Sequence, residues 1–227
     1  MKKALITGAS RGIGRAIAEK LKEEYDLTLI CRKNTDMLSR LPGRHYTGDV
    51  GDYDFIKSIF EDLDSLDLLI NNAGIACFGQ IQDTGPEKWN EVLTTDLTSL
   101  YNTSHFASKL MIKQHSGRII NISSIWGITG ASCESVYSAA KGGVNAFTKA
   151  LAKELAPSGI AVNALALGVI DTDMNAHLTE EEKEELICQI PVGRMGTPEE
   201  AADAVYHLSK MPLYLTGQII TVDGGLI

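Results

Sequence analysis

The sequence predicts an α/β fold, a doubly wound parallel sheet with helices on both faces. Three observations predict it. Short apolar runs alternate with longer amphipathic stretches along the whole chain, the order that builds parallel strands joined by crossover helices. The first apolar run passes directly into a glycine-rich turn and then into a helical stretch. No internal repeat, linker or low-complexity segment interrupts the alternation. The expectation is therefore one domain over residues 1–227 that also contains its substrate pocket, and that length is enough to bury a sizeable core.

Lys3 to Thr7 is the first strand. It leads into Gly8-Ala-Ser10-Arg11-Gly12-Ile13-Gly14 and a helix beginning near Arg15. Strand, glycine turn and helix is a dinucleotide-binding arrangement. The glycines allow a tight turn and let backbone N–H groups and a helix N-terminus approach a pyrophosphate. Leu27 to Cys31 is the second strand, followed by Arg32 and Lys33. An acid at that place would bind the ribose hydroxyls of NAD, whereas basic residues suit a 2′-phosphate. Arg32, Lys33 and Arg11 therefore favour NADP(H).

Thr35 to Leu41 reads as a short helix and His45 to Thr47 as the third strand, ending in Gly48-Asp49-Val50. Asp49 suits either an adenine amino group or the cap of the next helix, Tyr53 to Leu63. Leu66 to Ile70 is the fourth strand. Asn71-Asn72-Ala73-Gly74 after it is small and polar, suited to close approach of a cofactor. Pro86 to Lys113 reads as one long helix with core positions at Trp89, Val92, Leu93, Leu97, Leu100, Tyr101, Phe106 and Met111. Asp96 falls in its middle.

Arg118 to Ser123 is the fifth strand, and Ser124 stands at its carboxyl end, where ligands sit in open α/β sheets. Val136 to Leu155 is the next helix. Tyr137 and Lys141 lie four residues apart on one of its faces. An ammonium beside a phenol lowers the phenol pKa towards working pH, which makes Tyr137 a candidate general acid. Ile160 to Leu167 is the sixth strand, Thr179 to Cys188 a charged helix suited to a flap over a site, Thr197 to Ser209 another helix, and Gln218 to Val222 the last strand.

Composition narrows the function. Lysine and arginine number 21 against 29 acids, a net charge of −8, which argues against nucleic acid or an anionic membrane as partner. Cys31, Cys77, Cys133 and Cys188 are widely spaced and fit neither a zinc pattern nor a disulfide scaffold. A reducing, cytoplasmic setting and no metal are expected. No signal peptide precedes the first strand, and no apolar run approaches the roughly 20 residues of a membrane span.

Together, TGASRGIG (Thr7 to Gly14), GDV (Gly48 to Val50), NNAG (Asn71 to Gly74), Ser124, YSAAK (Tyr137 to Lys141), VNA (Val162 to Ala164) with GVIDTDM after it, and the terminal TVDGG resemble the short-chain dehydrogenase/reductase family from Lys3 to Gly225. The layout is most similar to its 3-oxoacyl-acyl-carrier-protein reductase-like members. The resemblance implies a Rossmann-type seven-stranded sheet, an NAD(P)-dependent oxidoreductase, and a homotetramer or homodimer packed through the two long helices. It implies Tyr137 as proton donor, Ser124 holding the same substrate oxygen, and Lys141 on the nicotinamide ribose. Gly8, Ser10, Gly12, Ile13, Gly14, Asp49, Val50, Asn72, Ala73, Gly74, Gly168, Ile170 and Thr172 are implied to complete the cofactor site.

Two positions depart from the family pattern. Asp96 stands where Asn is usual, and a carboxylate has no N–H to donate. It reads as a member of a proton relay or as a structural helix residue. Leu167 stands where Pro is usual, which predicts a freer turn before Gly168. Trp126, Ile128, Cys133 and Glu134 are expected to border the pocket, with Trp126 pointing to a small or flat substrate or packing into the core. No basic cluster stands near Gln114-His115-Ser116 or Pro157-Ser158-Gly159, which weakens acyl carrier protein as a partner. The favoured function is an NADPH-dependent carbonyl reductase acting on a 3-oxoacyl thioester or small ketone. The alternatives are an alcohol, sugar or steroid dehydrogenase and a non-catalytic dinucleotide-binding sensor.

Overall fold

The computed structural model describes residues 1–176 and 178–227. In chain order its elements are β1 (Lys2–Thr7), α1 (Gly12–Leu21), β2 (Tyr25–Cys31), α2 (Thr35–Leu38), β3 (Arg44–Thr47), α3 (Tyr53–Glu61), β4 (Leu68–Asn71), α4 (Pro86–Leu93), α5 (Ser99–Gln114), β5 (Gly117–Ser124), α6 (Trp126–Thr129), α7 (Ser135–Leu155), β6 (Ile160–Leu167), α8 (Glu180–Gln189), α9 (Pro198–Lys210) and β7 (Ile219–Val222). The strands form one seven-stranded sheet in the order β3-β2-β1-β4-β5-β6-β7, and each neighbouring pair is parallel. The order reverses between β1 and β4, so a crevice opens at their carboxyl ends.

The strands are nearly continuous apolar runs because both faces are covered. Ala4 and Ile6 of β1 point into one core, with Ile17 and Leu21 of α1, Leu38 of α2 and Val205 of α9. Leu5, between them, points into the other, with Ile56 and Phe60 of α3, Met111 of α5 and Leu155 of α7. This period of two fixes the strand register, since a one-residue slip would send each side chain to the wrong layer.

The stretch read as one helix from Pro86 to Lys113 contains a π-helical segment, Thr94–Thr98, between α4 and α5. Such segments add a residue to the turn and often mark functional sites. The inserted residue also breaks a stripe counted at 3.6 residues per turn. Trp89 and Tyr101, read as core positions, are 41% and 48% exposed, whereas Val92, Leu100 and Met111 are buried. The helix expected over Thr35 to Leu41 is a single turn ending at Leu38. Asp49 does not cap α3. Asp52 does, accepting from the N–H groups of Asp54 and Phe55 at 2.9 and 3.1 Å. The short α6 lay outside the sequence expectation.

Beneath the crevice a buried polar network ties helices to strands. Asn71 donates to Asn121 Oδ1 at 2.9 Å, Thr103 donates to Asn71 Oδ1 at 2.6 Å, and Asn121 donates to Thr148 Oγ1 at 2.9 Å. These bonds lock α5 and α7 to β4 and β5, and a fully satisfied buried network of this kind specifies one arrangement.

Candidate active site

A cavity of about 820 Å³ runs along the carboxyl ends of the strands, from Arg32 and Lys33 past the glycine turn to Tyr137 and on to α8. At one end, Gly8 and Gly12 take φ of +68° and +50°, the left-handed region that favours glycine. A Cβ on Gly14 would lie 2.2 Å from the Gly8 carbonyl oxygen, so the turn admits no side chain there. Arg11 at the start of α1 makes no side-chain cap, and the first turn carries no acid. The leading N–H groups of α1 are thus available to an anion. This cradle fits a pyrophosphate.

Three cations stand around this end, although two have acidic neighbours. Arg32 lies 3.9 Å from Asp49 Oδ2, and Arg11 lies 3.6 Å from Asp173 Oδ2. Both are loose, solvent-facing pairs. Lys33 forms no ion pair among the described residues. Asp49 and buried Val50 line the cavity beside them, with Asp49 Oδ1 accepting from Gly51 N–H at 2.8 Å.

Asn72 lines the cavity, but its amide is already engaged. It donates to the Thr7 and Gly8 carbonyl oxygens at 3.0 and 3.3 Å, bracing the glycine turn rather than standing free for a ligand. Thr7 Oγ1 accepts from both Asn72 and Ala73 N–H at 3.0 Å. Gly74 is required for another reason: a Cβ there would come within 2.9 Å of Asp96 Oδ2.

The other end gathers Ser124, Tyr137, Lys141 and Asp96. Ser124 ends β5, its Oγ accepts from Trp126 N–H at 3.2 Å, and it lines the cavity together with Tyr137, whose phenol it influences. Lys141, one turn after Tyr137 on α7, donates to the Ile122 carbonyl at 3.1 Å. Its Nζ lies 3.2 Å from Asp96 Oδ2, an ion pair with side chains 6% and 0% exposed. Asp96 Oδ1 accepts from Ile75 N–H at 2.9 Å. The π turn is what brings Asp96, otherwise one more helix residue, beside this lysine.

Burial sets the protonation of this group. It pushes the Asp96 carboxyl above the ordinary range, with Lys141 and the Ile75 N–H opposing. Burial works against the Lys141 ammonium, yet Asp96 and then Tyr137 outweigh it and its pKa is raised. The contact distance and the Ile75 N–H favour the charged pair over a shared neutral one. Burial also raises the Tyr137 phenol, against Lys141 and Ser124, and Asp96 adds to the rise. This corrects the expectation that Lys141 brings the phenol down. The lysine does pull in that direction, but its charge is largely balanced by Asp96 and desolvation wins.

The remaining expectations divide. Gly168, Ile170 and Thr172 line the cavity opposite the glycine turn, and a Cβ on Gly12 would lie 3.4 Å from Thr172. The turn after Leu167 is not loose. Ile125 N–H donates to the Leu167 carbonyl, and Gly168 N–H to that of Val222, both at 3.0 Å. Trp126 and Glu134 line the cavity. Ile128 and Cys133 do not: both are exposed, because α6 and the following turn direct them outward. Trp126 also packs on the small cluster of Val136, Tyr137 and Ala140. Sequence reasoning missed Ile75, Phe78, Leu186 and Gln189 on the wall, since only the fold brings them there.

Glu134 immediately precedes α7 but makes no cap. Burial pushes its carboxyl up to about 7, above the reference near ~4.3 of an unfolded chain. Between those values the folded chain binds the extra proton, so stability falls as pH rises through that window. Denaturant unfolding at stepped pH is expected to show this fall, and Glu134→Gln is expected to flatten it; an unchanged slope would refute the assignment.

Comparison with known proteins gives the class. The short chain dehydrogenase family model matches residues 2–183. The chain belongs to the short-chain dehydrogenase/reductase family and is an oxidoreductase. It is 41% identical to YmfI of Bacillus subtilis, an oxidoreductase of uncharacterised activity, over 99% of this chain and 98% of that one. It is 40% identical to the 3-oxoacyl-[acyl-carrier-protein] reductase FabG of Aquifex aeolicus, over 99% and 97%, and 38% identical to that of Escherichia coli, over 98% and 96%. Among solved structures it is similar to a candidate gluconate dehydrogenase from Agrobacterium tumefaciens, with a TM-score of 0.94 and 32% identity, over 99% of this chain and 95% of that one. Among the described residues no helix is long and apolar enough to cross a membrane, and no group of acids, histidines and cysteines could hold a metal.

Proposed function

We propose that this chain is an NADPH-dependent carbonyl reductase that converts a ketone, as a small molecule or a 3-oxoacyl thioester, into a secondary alcohol. The observation that carries the reading is the convergence of Ser124, Tyr137 and Lys141 in the same cavity as the glycine cradle. A single domain then holds cofactor and substrate.

Gly8, Ser10, Gly12, Ile13 and Gly14 would hold the pyrophosphate, and Arg11, Arg32 and Lys33 the 2′-phosphate. Asp49 and Val50 would border the adenine. Ala73, Gly74, Gly168, Ile170 and Thr172 would border the nicotinamide half, with Asn72 fixing the turn between them. When bound, NADPH supplies the hydride for the carbonyl carbon. Tyr137 gives its phenolic proton to the carbonyl oxygen, and the Ser124 hydroxyl holds that oxygen in place. The raised phenol pKa keeps the proton on Tyr137 until charge develops on the substrate oxygen. Lys141 supplies positive charge beside the phenol as it ionises, and Asp96 is a positioning residue that acts through Lys141.

All four cysteines are free, which suits the cytoplasm. Exposed Trp89 and Tyr101, on the helices flanking Asp96, suit a homotetramer or homodimer contact. Acyl carrier protein remains the less favoured partner.

Steady-state turnover with each cofactor tests the reading. NADPH is expected to give the higher kcat/KM. Arg32→Asp is expected to reduce that preference by about tenfold to a hundredfold, the worth of a charge-assisted bond to phosphate. A preference for NADH in the unaltered chain would overturn the roles of Arg11, Arg32 and Lys33.

A further inference from the structure

The proposed reaction needs Ser124, Tyr137 and Lys141, and it leaves Glu134, an ionisable group beside them in the same cavity, without a task. Glu134 lines the cavity one turn before Tyr137, close enough for its charge to act on the phenol. Glu134 stands at the N-cap position of α7, and its side chain accepts no hydrogen bond from the first turn of that helix. Among the described residues no lysine or arginine pairs with it, and burial is the sole influence on its carboxyl. A carboxylate half withdrawn from water with no counter-cation is costly unless a ligand supplies one.

The charges around it are arranged unequally. The cations that line the cavity are Arg11, Arg32 and Lys33 at the glycine-turn end, and Lys141, which is committed to Asp96 and the Ile122 carbonyl. The wall that α8 contributes carries Glu182 and Glu185. Glu182 is occupied in capping α8, accepting from Thr179 N–H at 2.8 Å. The substrate end thus carries Glu134, Glu182 and Glu185 with no uncommitted cation among the described residues, whereas at the cofactor end Arg11, Arg32 and Lys33 outnumber their acidic neighbours Asp173 and Asp49. Between lie the apolar surfaces of Trp126, Ile75 and Leu186.

We propose that Glu134 is a specificity-determining residue that selects a carbonyl substrate carrying a basic group, an amine protonated at neutral pH, on a short chain from the reacting carbon. The proposal rests on the reductase reading of the same site. The amine pairs with the Glu134 carboxylate, the chain between lies on the apolar wall, and the carbonyl oxygen meets Ser124 and Tyr137. A neutral ketone of the same length forgoes the ion pair, and an anionic one meets repulsion.

The test uses three methyl ketones of one chain length, ending in an ammonium, a methyl or a carboxylate group. Their kcat/KM values are compared for the unaltered chain, Glu134→Gln and Glu134→Lys with NADPH. The ammonium ketone is expected to exceed the neutral one by about tenfold to a hundredfold, the range of a hydrogen bond to a charged group. Glu134→Gln is expected to bring that ratio close to one, and Glu134→Lys to favour the carboxylate ketone. A ratio near one in the unaltered chain, or one that Glu134→Gln leaves intact, would overturn the proposal. Thermal stabilisation of the NADPH complex by the matching ammonium and neutral secondary alcohols reads the same preference without turnover. Reduction of none of the ketones, with the binding preference present and dependent on Glu134, would count against the reductase reading and for Glu134. Turnover of all three at equal rates would do the reverse.

Discussion

Tyr137→Phe is expected to lower kcat by about 10²- to 10⁴-fold, the usual worth of a positioned general acid, while NADPH still binds. The substitution removes one oxygen from a side chain packed against Val136, Ala140 and Trp126, so the fold should survive. The glycine cradle and the cations at the far end of the cavity do not touch this oxygen. Cofactor affinity, read by fluorescence titration, therefore separates a chemical defect from a structural one. Retained turnover in the variant would show that another group protonates the substrate oxygen.

Lys141→Met is expected to destabilise the chain by about 3–5 kcal/mol as well as to abolish turnover. The lysine is the countercharge of a carboxylate whose side chain is 0% exposed, and removing one partner of a buried pair leaves the other uncompensated. Asp96→Asn added to Lys141→Met should recover most of that loss in stability. An amide carries no charge, and its oxygen still accepts from Ile75 N–H. Activity should stay low in the double variant. Denaturant melts of the two singles and the double form a cycle that measures the pair directly. If the single variant were as stable as the unaltered chain, Asp96 would be neutral and the buried ion pair would be refuted.

Much of the architecture was legible because its signals are local. β6 was read with the bounds it has, since an apolar run ended by Pro157-Ser-Gly159 and Gly168 has clear limits. The glycine turn and the pair Tyr137 and Lys141 were visible as spacing. What was not legible depends on contacts far apart in the chain. The π turn could not be seen, because its residues, Thr94 to Thr98, are ordinary helix formers or polar residues. Its reason is Lys141, 45 positions along from Asp96. The direction of the Tyr137 pKa was misread for the same cause: the lysine near the phenol was visible, but the burial of the group and the pairing of Lys141 with Asp96 were not. Asn71, read as part of the small polar stretch that a cofactor approaches, is instead the last residue of β4, and the fold joins it to Asn121 and Thr148 in the buried network. Asp52 took the helix cap that was one of the two readings of Asp49, three residues earlier, a choice that spacing alone does not resolve.

The most direct measurement is the fate of the hydride. NADPH carrying deuterium at the nicotinamide C4 is supplied with a panel of ketones, and the alcohol products are examined by mass spectrometry and NMR. Deuterium on the carbinol carbon, formed with the unaltered chain and lost with Tyr137→Phe, is the predicted result. Tight NADPH binding with no deuterated alcohol from any ketone of the panel would contradict a carbonyl reductase.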